Sequence, residues 1–516
     1  MEKQRTNAVI ISKDITKRQQ VKELMRAVNR QSKLIVHPQY KPALFICMAV
    51  VGLLALSACA GQYPLNLKVD AIGRTEPHHS RLRDIDRSAP LFLIIAFSGG
   101  GTRAASLAYG TLEALKGVDL PETTVTSPDG RRSRTMLDEV SLVTAVSGGS
   151  FAAAYYGLHG EGIFRDFRER FLLRDVQGDL TGKFLNPFNW PRIWSPMFGR
   201  SDLAQEYYDE ILFSGAKLTA LTQPRKPLII IQATDVVDGI VFPFVPETFD
   251  WICSDLHQFP VSRAVAASSA FPGILSPVVL KNYAGTCNTP IPAWVSDALT
   301  APDPASRIYH MAVRANAFLD PNKKPYVYLA DGGISDNLGL RMIIDGVASR
   351  GGLRDILGTS EFKKLRRIAF IVVDAETQDR PAWSMLGQVP GIGAVLGVSS
   401  TVMVNKYNFE TTDLLRRTVR EWQNEDDPNA PPLDFYLIHM TFSALPEQAE
   451  RDYFHGIPTT FSLTADQVDR LRETAARLLY ASHDFQRLVA DMGGRIPTPQ
   501  SWLQSTKSRD GLSDSP

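Results

Sequence analysis

Apolar residues along this 516-residue chain gather into short continuous runs separated by stretches of helical character. Leu91–Phe97 reads LFLIIAF between Pro90 and a glycine cluster, the form of a strand buried on both faces. Further runs of strand length fall at 142–146, 227–233, 326–330, 368–373 and 435–438. Between them, 104–115 and 150–156 read as helices, and a late helix starts at Thr464, where Gln467 three residues on completes a capping box. Strands alternating with helices predict an α/β fold: a central, mostly parallel sheet covered by helices on both faces. The sequence contains no internal repeat.

Two interruptions change this picture. Residues 176–202 concentrate Phe184, Phe188, Trp190, Trp194, Met197 and Phe198 among Pro and Gly. They read as a loop that is either a lid or interfacial surface, or that packs over its own domain. Residues 120–136 read as an exposed polar loop.

Charge enters through its distribution. Net charge is only +1, which gives no reason to expect nucleic acid. The first 42 residues hold ten Lys/Arg against three Asp/Glu, leaving 46 basic and 52 acidic residues beyond them. This basic excess precedes the apolar run from Pro42 to Gly61, an arrangement that suggests targeting. The run ends in Leu56-Ser57-Ala58-Cys59, which resembles the lipobox of bacterial lipoproteins. That resemblance implies a lipidated Cys59 and, with Ala60 following, an outer-membrane lipoprotein of the cell envelope facing the periplasm. An uncleaved signal anchor in the inner membrane is the alternative. Of four cysteines, Cys253 and Cys287 remain beyond Cys47 and Cys59; they either pair in an oxidising compartment or stay as free thiols. No Cys/His spacing resembles a metal site, and no cofactor is expected.

Three features carry chemistry. After the first apolar run comes Ser98-Gly99-Gly100-Gly101-Thr102-Arg103, opening a helix. Its glycines let several N–H groups approach one anion, with the helix N-terminus adding positive potential. A Walker loop is excluded because no Gly-Lys-Ser/Thr is present. A dinucleotide fingerprint is formally met by Gly99, Gly101 and Ala104, but no acid ends a second strand at the usual spacing. An oxyanion hole is the third reading. Next, Ala145-Val146-Ser147-Gly148-Gly149 joins a strand to a helix, the context of a nucleophile elbow, with Ala145 where Gly is usual. Finally, Asp331 ends a strand and is followed by Gly332-Gly333, which turn the chain away beneath it. His439, His455 and His483 are the alternative bases, as in a Ser…Asp…His order.

In this order, Gly99–Arg103, Ser147–Gly149 and Asp331–Gly333 resemble the motifs of the patatin-like phospholipases. Residues 264–280, AVAASSAFPGILSPVVL, resemble that family's small-residue and Pro block. The resemblance covers roughly 91–340 and implies a three-layer patatin-like sandwich. Together with composition and the lipobox, it divides the chain into an extension and signal segment (1–59), a tether or wrapping arm (60–89), a catalytic core (90–345), a C-terminal part of the same domain (346–492) and a disordered tail (493–516). It further implies a Ser147–Asp331 dyad without histidine. Oxyanion or substrate contacts would come from Gly99, Gly100, Gly101 and Gly148, with Arg103 orienting the loop or meeting a phosphate. The expected substrate is a phospholipid or related acyl lipid, cleaved through an acyl-enzyme, with the membrane surface as partner. A silent patatin-fold lipoprotein that binds lipid or supports envelope assembly is the alternative, motivated by Ala145.

Overall fold

The Leu91–Phe97 run forms strand β1, and its period of two sends alternate side chains into two different cores. Leu91, Leu93, Ile95 and Phe97 enter the larger core, and Phe92, Ile94 and Ala96 the smaller. No face of this strand is left for polar residues, which is why it reads as one unbroken apolar run. A computed structural model of the chain describes residues 66–70, 91–121, 134–196, 198–222, 227–349, 352, 365–378, 381, 383–387, 389–423, 432–498 and 502. The signal segment, Cys59 and most of the 120–136 loop lie outside the described residues.

The other strands of the main sheet are β2 (Val140–Val146), β3 (Leu228–Asp235), β4 (Ile240–Pro243), β5 (Val278–Lys281), β6 (Tyr326–Ala330), β7 (Arg367–Asp374) and β8 (Asp434–Thr441). They form one sheet in the order β8-β7-β1-β2-β3-β6-β5, with β4 also on β3. The five strands from β8 to β3 are parallel. Pairings of β3 with β4 and β6, and of β6 with β5, are antiparallel. Strands β4 and β5 are short and carry no long apolar run, so the hydrophobic pattern does not announce them.

Helices α1 (Gly101–Lys116), α2 (Gly148–His159), α3 (Val176–Leu185), α4 (Arg200–Tyr208) and α5 (Val261–Ser268) precede β5. Helices α6 (Gly333–Asp336), α7 (Arg341–Ser349), α8 (Ile392–Gln423), α9 (Ala465–Ala481) and α10 (His483–Asp491) follow β6. Helices α1, α2 and α9 cover the larger core, and α7 with the C-terminal half of α8 covers the smaller. A Cβ on Gly110 would lie 2.6 Å from the Arg472 backbone, so α1 and α9 touch where only glycine fits. Beside that crossing, buried Arg472 grips Glu113 through two bonds of 2.9 and 3.0 Å. Thr464 and Gln467 close the capping box of α9, each side chain accepting the other residue's backbone N–H.

Other expectations need correcting. The 176–202 stretch is largely helical, beginning with α3, whose first turn is capped by Asp175 accepting from Gly178 N–H at 2.8 Å. The tail is ordered where it starts: Arg495 N–H donates to Asp119 O, and Trp502 is buried in the larger core. Within the arm, residues 66–70 run against 253–255, with Val69 N–H donating to Cys253 O. Cys253 and Cys287 are joined as a disulfide with Cα atoms 5.6 Å apart. Alkylation of the unreduced, denatured protein should therefore leave both unmodified, as read by peptide mass. Removing the pair should cost about 3–4 kcal/mol for a loop of this length, measured by denaturant unfolding.

Candidate active site

Strands β1 and β2 are parallel neighbours with Phe97 opposite Ala145, so the turns that follow them emerge side by side. Each turn opens a helix, and the two helix starts touch. A Cβ on Gly148 would lie 2.0 Å from Gly101 O and 2.6 Å from Gly101 N; one on Gly149 would lie 2.7 Å from Phe97 Cβ. Glycine at both positions is thus a condition of the contact.

Between them, Ser147 sits at φ 47° and ψ −121°, in the positive-φ half of the map that a residue with a side chain seldom enters. Such strain costs on the order of 1–3 kcal/mol and is held by its surroundings. Here the surroundings are specific: Ser147 N–H donates to Ser268 Oγ at 2.8 Å, and Ser268 Oγ donates to Gln232 O at 2.6 Å. Ala145 stays in extended strand, buried and without positive φ, so its methyl group is not in conflict with the turn.

Strand β3 separates β2 from β6, so Ser147 and Asp331 are not on neighbouring strands. Strand β6 meets β3 only at Ala330 and Leu329, running antiparallel from beyond the sheet edge. The chain then passes inward: Asp331 N–H donates to Ala270 O and Gly332 N–H to Ser268 O, both 3.0 Å. Gly332 lies so close to β3 that a Cβ would meet Gln232 O at 2.6 Å. This inward step carries the carboxylate past β3, and Ser147 Oγ donates to Asp331 Oδ2 at 2.7 Å. Asp331 Oδ1 accepts from Gly333 N–H at 2.8 Å. Burial pushes the Asp331 carboxyl up to about 6, with the Gly333 N–H and the Ser147 hydroxyl opposing the rise.

The glycine loop divides into structural and available donors. Gly99 N–H donates to Asn337 O and Thr102 N–H to Thr460 O. The N–H groups of Gly100, Gly101 and Gly148 have no acceptor among the described residues, and they lie at the converging N-termini of α1 and α2. That is a site of positive potential suited to an oxyanion. Gly99 is therefore a tie rather than a free donor. Arg103 is buried and its guanidinium is spent within the protein: it donates to Ala375 O, Ile457 O and Thr459 Oγ1. Burial lowers its guanidinium to about 10, against the pull of Asp374. Its work is to fasten the loop to two distant segments.

None of the candidate histidines hydrogen-bonds Ser147 or Asp331. His439 Nε2 lies 3.7 Å from Asp374 Oδ2, His455 faces Glu376 at 3.2 Å, and His483 opens α10. Asp336 is buried with its carboxyl raised to about 7 by that burial, accepting from Arg341 N–H at 2.7 Å. It serves the turn into α7. Thr460, from the C-terminal third, carried no sequence signal; Ser268 lies within the 264–280 block and Asn337 within the block that follows Asp331, though neither role could be read from the string. An apolar cavity of about 1100 Å³ lies elsewhere, lined by Ile94, Ile230, Phe244 and Phe318, and neither Ser147 nor Asp331 borders it.

A strained serine at a strand–helix turn, a buried carboxylate in contact with it, and free amides beside both make up a site of the serine-hydrolase kind. Residues 95–344 match the family model described as patatin-like phospholipase, and this part of the chain is a patatin-like phospholipase domain. Among solved structures, human GIVD cytosolic phospholipase A2 aligns at 12% identity over 84% of this chain and 65% of that chain, with a TM-score of 0.36. The same enzyme in complex with methyl γ-linolenyl fluorophosphonate aligns at 14% identity over 84% and 62%, also at 0.36. VipD from Legionella pneumophila aligns at 12% identity over 88% and 85%, at 0.22. This chain therefore spans less than two thirds of the human enzyme's structures. None of the curated proteins compared matches the chain.

Gly148→Ala should lower turnover of an ester substrate by at least about a hundredfold, because the helix starts must part and the oxyanion donors separate. Steady-state kinetics alongside a circular dichroism spectrum check that the loss is local.

Proposed function

We propose that this protein is a serine acyl hydrolase that cleaves carboxylic esters of phospholipids or related acyl lipids through a Ser147–Asp331 dyad. The observation that carries this reading is the 2.7 Å hydrogen bond from Ser147 Oγ to Asp331 Oδ2 in a buried site. Ser147 Oγ attacks the ester carbonyl and passes its proton to Asp331. The carbonyl oxygen gains negative charge, which the N–H groups of Gly100, Gly101 and Gly148 receive. The C–O bond to the alcohol breaks, and Asp331 returns the proton to the leaving oxygen. Water then attacks the acyl-enzyme, Asp331 takes one of its protons, and the acid departs as Ser147 recovers its hydrogen. A carboxylate of ordinary pKa, about 4, is a weak base for this work; the raised pKa of Asp331 supports the role.

The proposed setting is the bacterial cell envelope, with lipidated Cys59 holding the domain near its substrate. The silent-fold alternative drew on Ala145, and the extended conformation of that residue removes its motive.

Ser147→Ala and Asp331→Asn should each reduce ester hydrolysis by at least about a thousandfold, while His439→Ala retains it; a fluorophosphonate probe should label Ser147 alone. Unimpaired hydrolysis by the Ser147→Ala protein ends the proposal.

The proton acceptor must be ionised, so kcat/KM should rise with pH to a plateau, with its midpoint near the Asp331 value of about 6. The stability effect has the opposite sign. Because the folded carboxyl holds its proton more tightly than the unfolded one (about 3.9), its contribution is present below about 4 and lost as pH rises through 6. A rate profile and a denaturation profile over pH 4–8 check the two slopes.

A further inference from the structure

Helix α8 is far longer than the sheet it packs against. Its C-terminal half runs antiparallel to β7: Trp422 stacks on Phe370, Leu415 and Val419 enter the smaller core, and Asn408 donates to Asp374 at the strand's end. Asn405 donates to Thr377 O, three residues past that end. From there back to Ile392 the helix continues for about 20 Å at 1.5 Å per residue, and no described side chain from 391 to 407 is buried.

The overhang is apolar. From Pro381 to Asn405 the sequence has no Asp, Glu, Lys or Arg. Val402 and Met403 are 58% and 65% exposed on the helix, and Val389 just before it is 97% exposed. An isolated helix of this composition gains little from water, and a contiguous apolar surface of this kind marks a docking face. The position of the overhang says what docks. It leaves the body at the sheet edge where β1 and β2 deliver the glycine loop and Ser147, since the residue after Asp374 bonds Ser98 through Ala375 N–H. Exposed Ile334, three residues after Asp331, Phe271, directly after the carbonyl that holds Asp331 N–H, and Ile274, three residues further on, add apolar surface beside Asp331.

We infer that the uncharged overhang of α8, residues 392–405, with the apolar surface beside Asp331, is a docking surface for the face of a lipid bilayer, seating the membrane over the Ser147 edge. The inference rests on the reading of the substrate as a lipid. A charge-free overhang has nothing with which to select a charged protein partner, whereas acyl chains accept valine and methionine without any matching polar group. No described helix is long and apolar enough to cross a membrane.

The test uses the full-length chain carrying Cys59→Ala, so that no lipid anchor masks the effect, with and without Val402→Glu/Met403→Glu. Both positions are exposed, and neither belongs to the catalytic machinery. Hydrolysis of phosphatidylcholine vesicles should fall at least about tenfold, given two buried apolar side chains lost. Hydrolysis of soluble p-nitrophenyl butyrate should not change, and co-sedimentation with vesicles should weaken. Unchanged vesicle hydrolysis and co-sedimentation overturn the inference. So does a parent dimer, seen by gel filtration, that the pair dissociates while vesicle binding persists, because a second copy then covers the helix. If the parent hydrolyses neither ester, the functional reading fails, while co-sedimentation of parent and variant still decides the docking surface.

Discussion

Everything at this site depends on two helix N-termini being allowed to touch. The starts of α1 and α2 approach until a single methyl group on Gly148 would overlap the Gly101 carbonyl. Only backbone can occupy that volume, and backbone amides are what an oxyanion needs. The close approach brings the dipoles of α1 and α2 to one point, and adjacency of β1 and β2 in a parallel sheet aims them there. The same crowding drives Ser147 into a conformation that would relax elsewhere, and a hydrogen-bonded chain through Ser268 to Gln232 holds it. Strain, amide orientation and the placing of the serine hydroxyl are three consequences of one packing decision.

The carboxylate completes the arrangement by a topological inversion. In an all-parallel sheet a residue two strands from Ser147 would stop too far away. An antiparallel approach along β6 lets the chain enter from outside the edge and step over β3 on two glycines. Burial then gives Asp331 the proton affinity that its side chain lacks in water. Fold and acid–base chemistry are set by the same inward step.

The legible parts of the sequence are those where one local signal suffices. Buried strands β1 and β7 show as unbroken apolar runs because both of their faces meet core, and Thr464 with Gln467 marks a helix start because a capping box is complete within four residues. Ser147 and Asp331 were readable as strand ends followed by glycines. What stayed hidden is relational. Nothing in the string says that Gly99 spends its N–H on Asn337, or that Arg103 turns from the site toward Ile457, since both depend on partners over two hundred residues away. The aromatic stretch at 176–202 looked like a loop because its Pro and Gly residues conceal a helix whose start is fixed by Asp175.

Arg103 has one more implication. It ties the loop after the first strand to carbonyls at 375 and 457, and Thr460 accepts the N–H of its neighbour Thr102. The latter anchors lie beyond the matched family segment, which ends at residue 344. A nascent chain that has presented Ser147 and Asp331 but not yet Thr460 thus carries both reactive groups with an unfastened oxyanion loop. The fastening is complete only once residue 460 is present, more than a hundred residues after Asp331, so the loop and the Ser147–Asp331 pair are completed at different stages of synthesis.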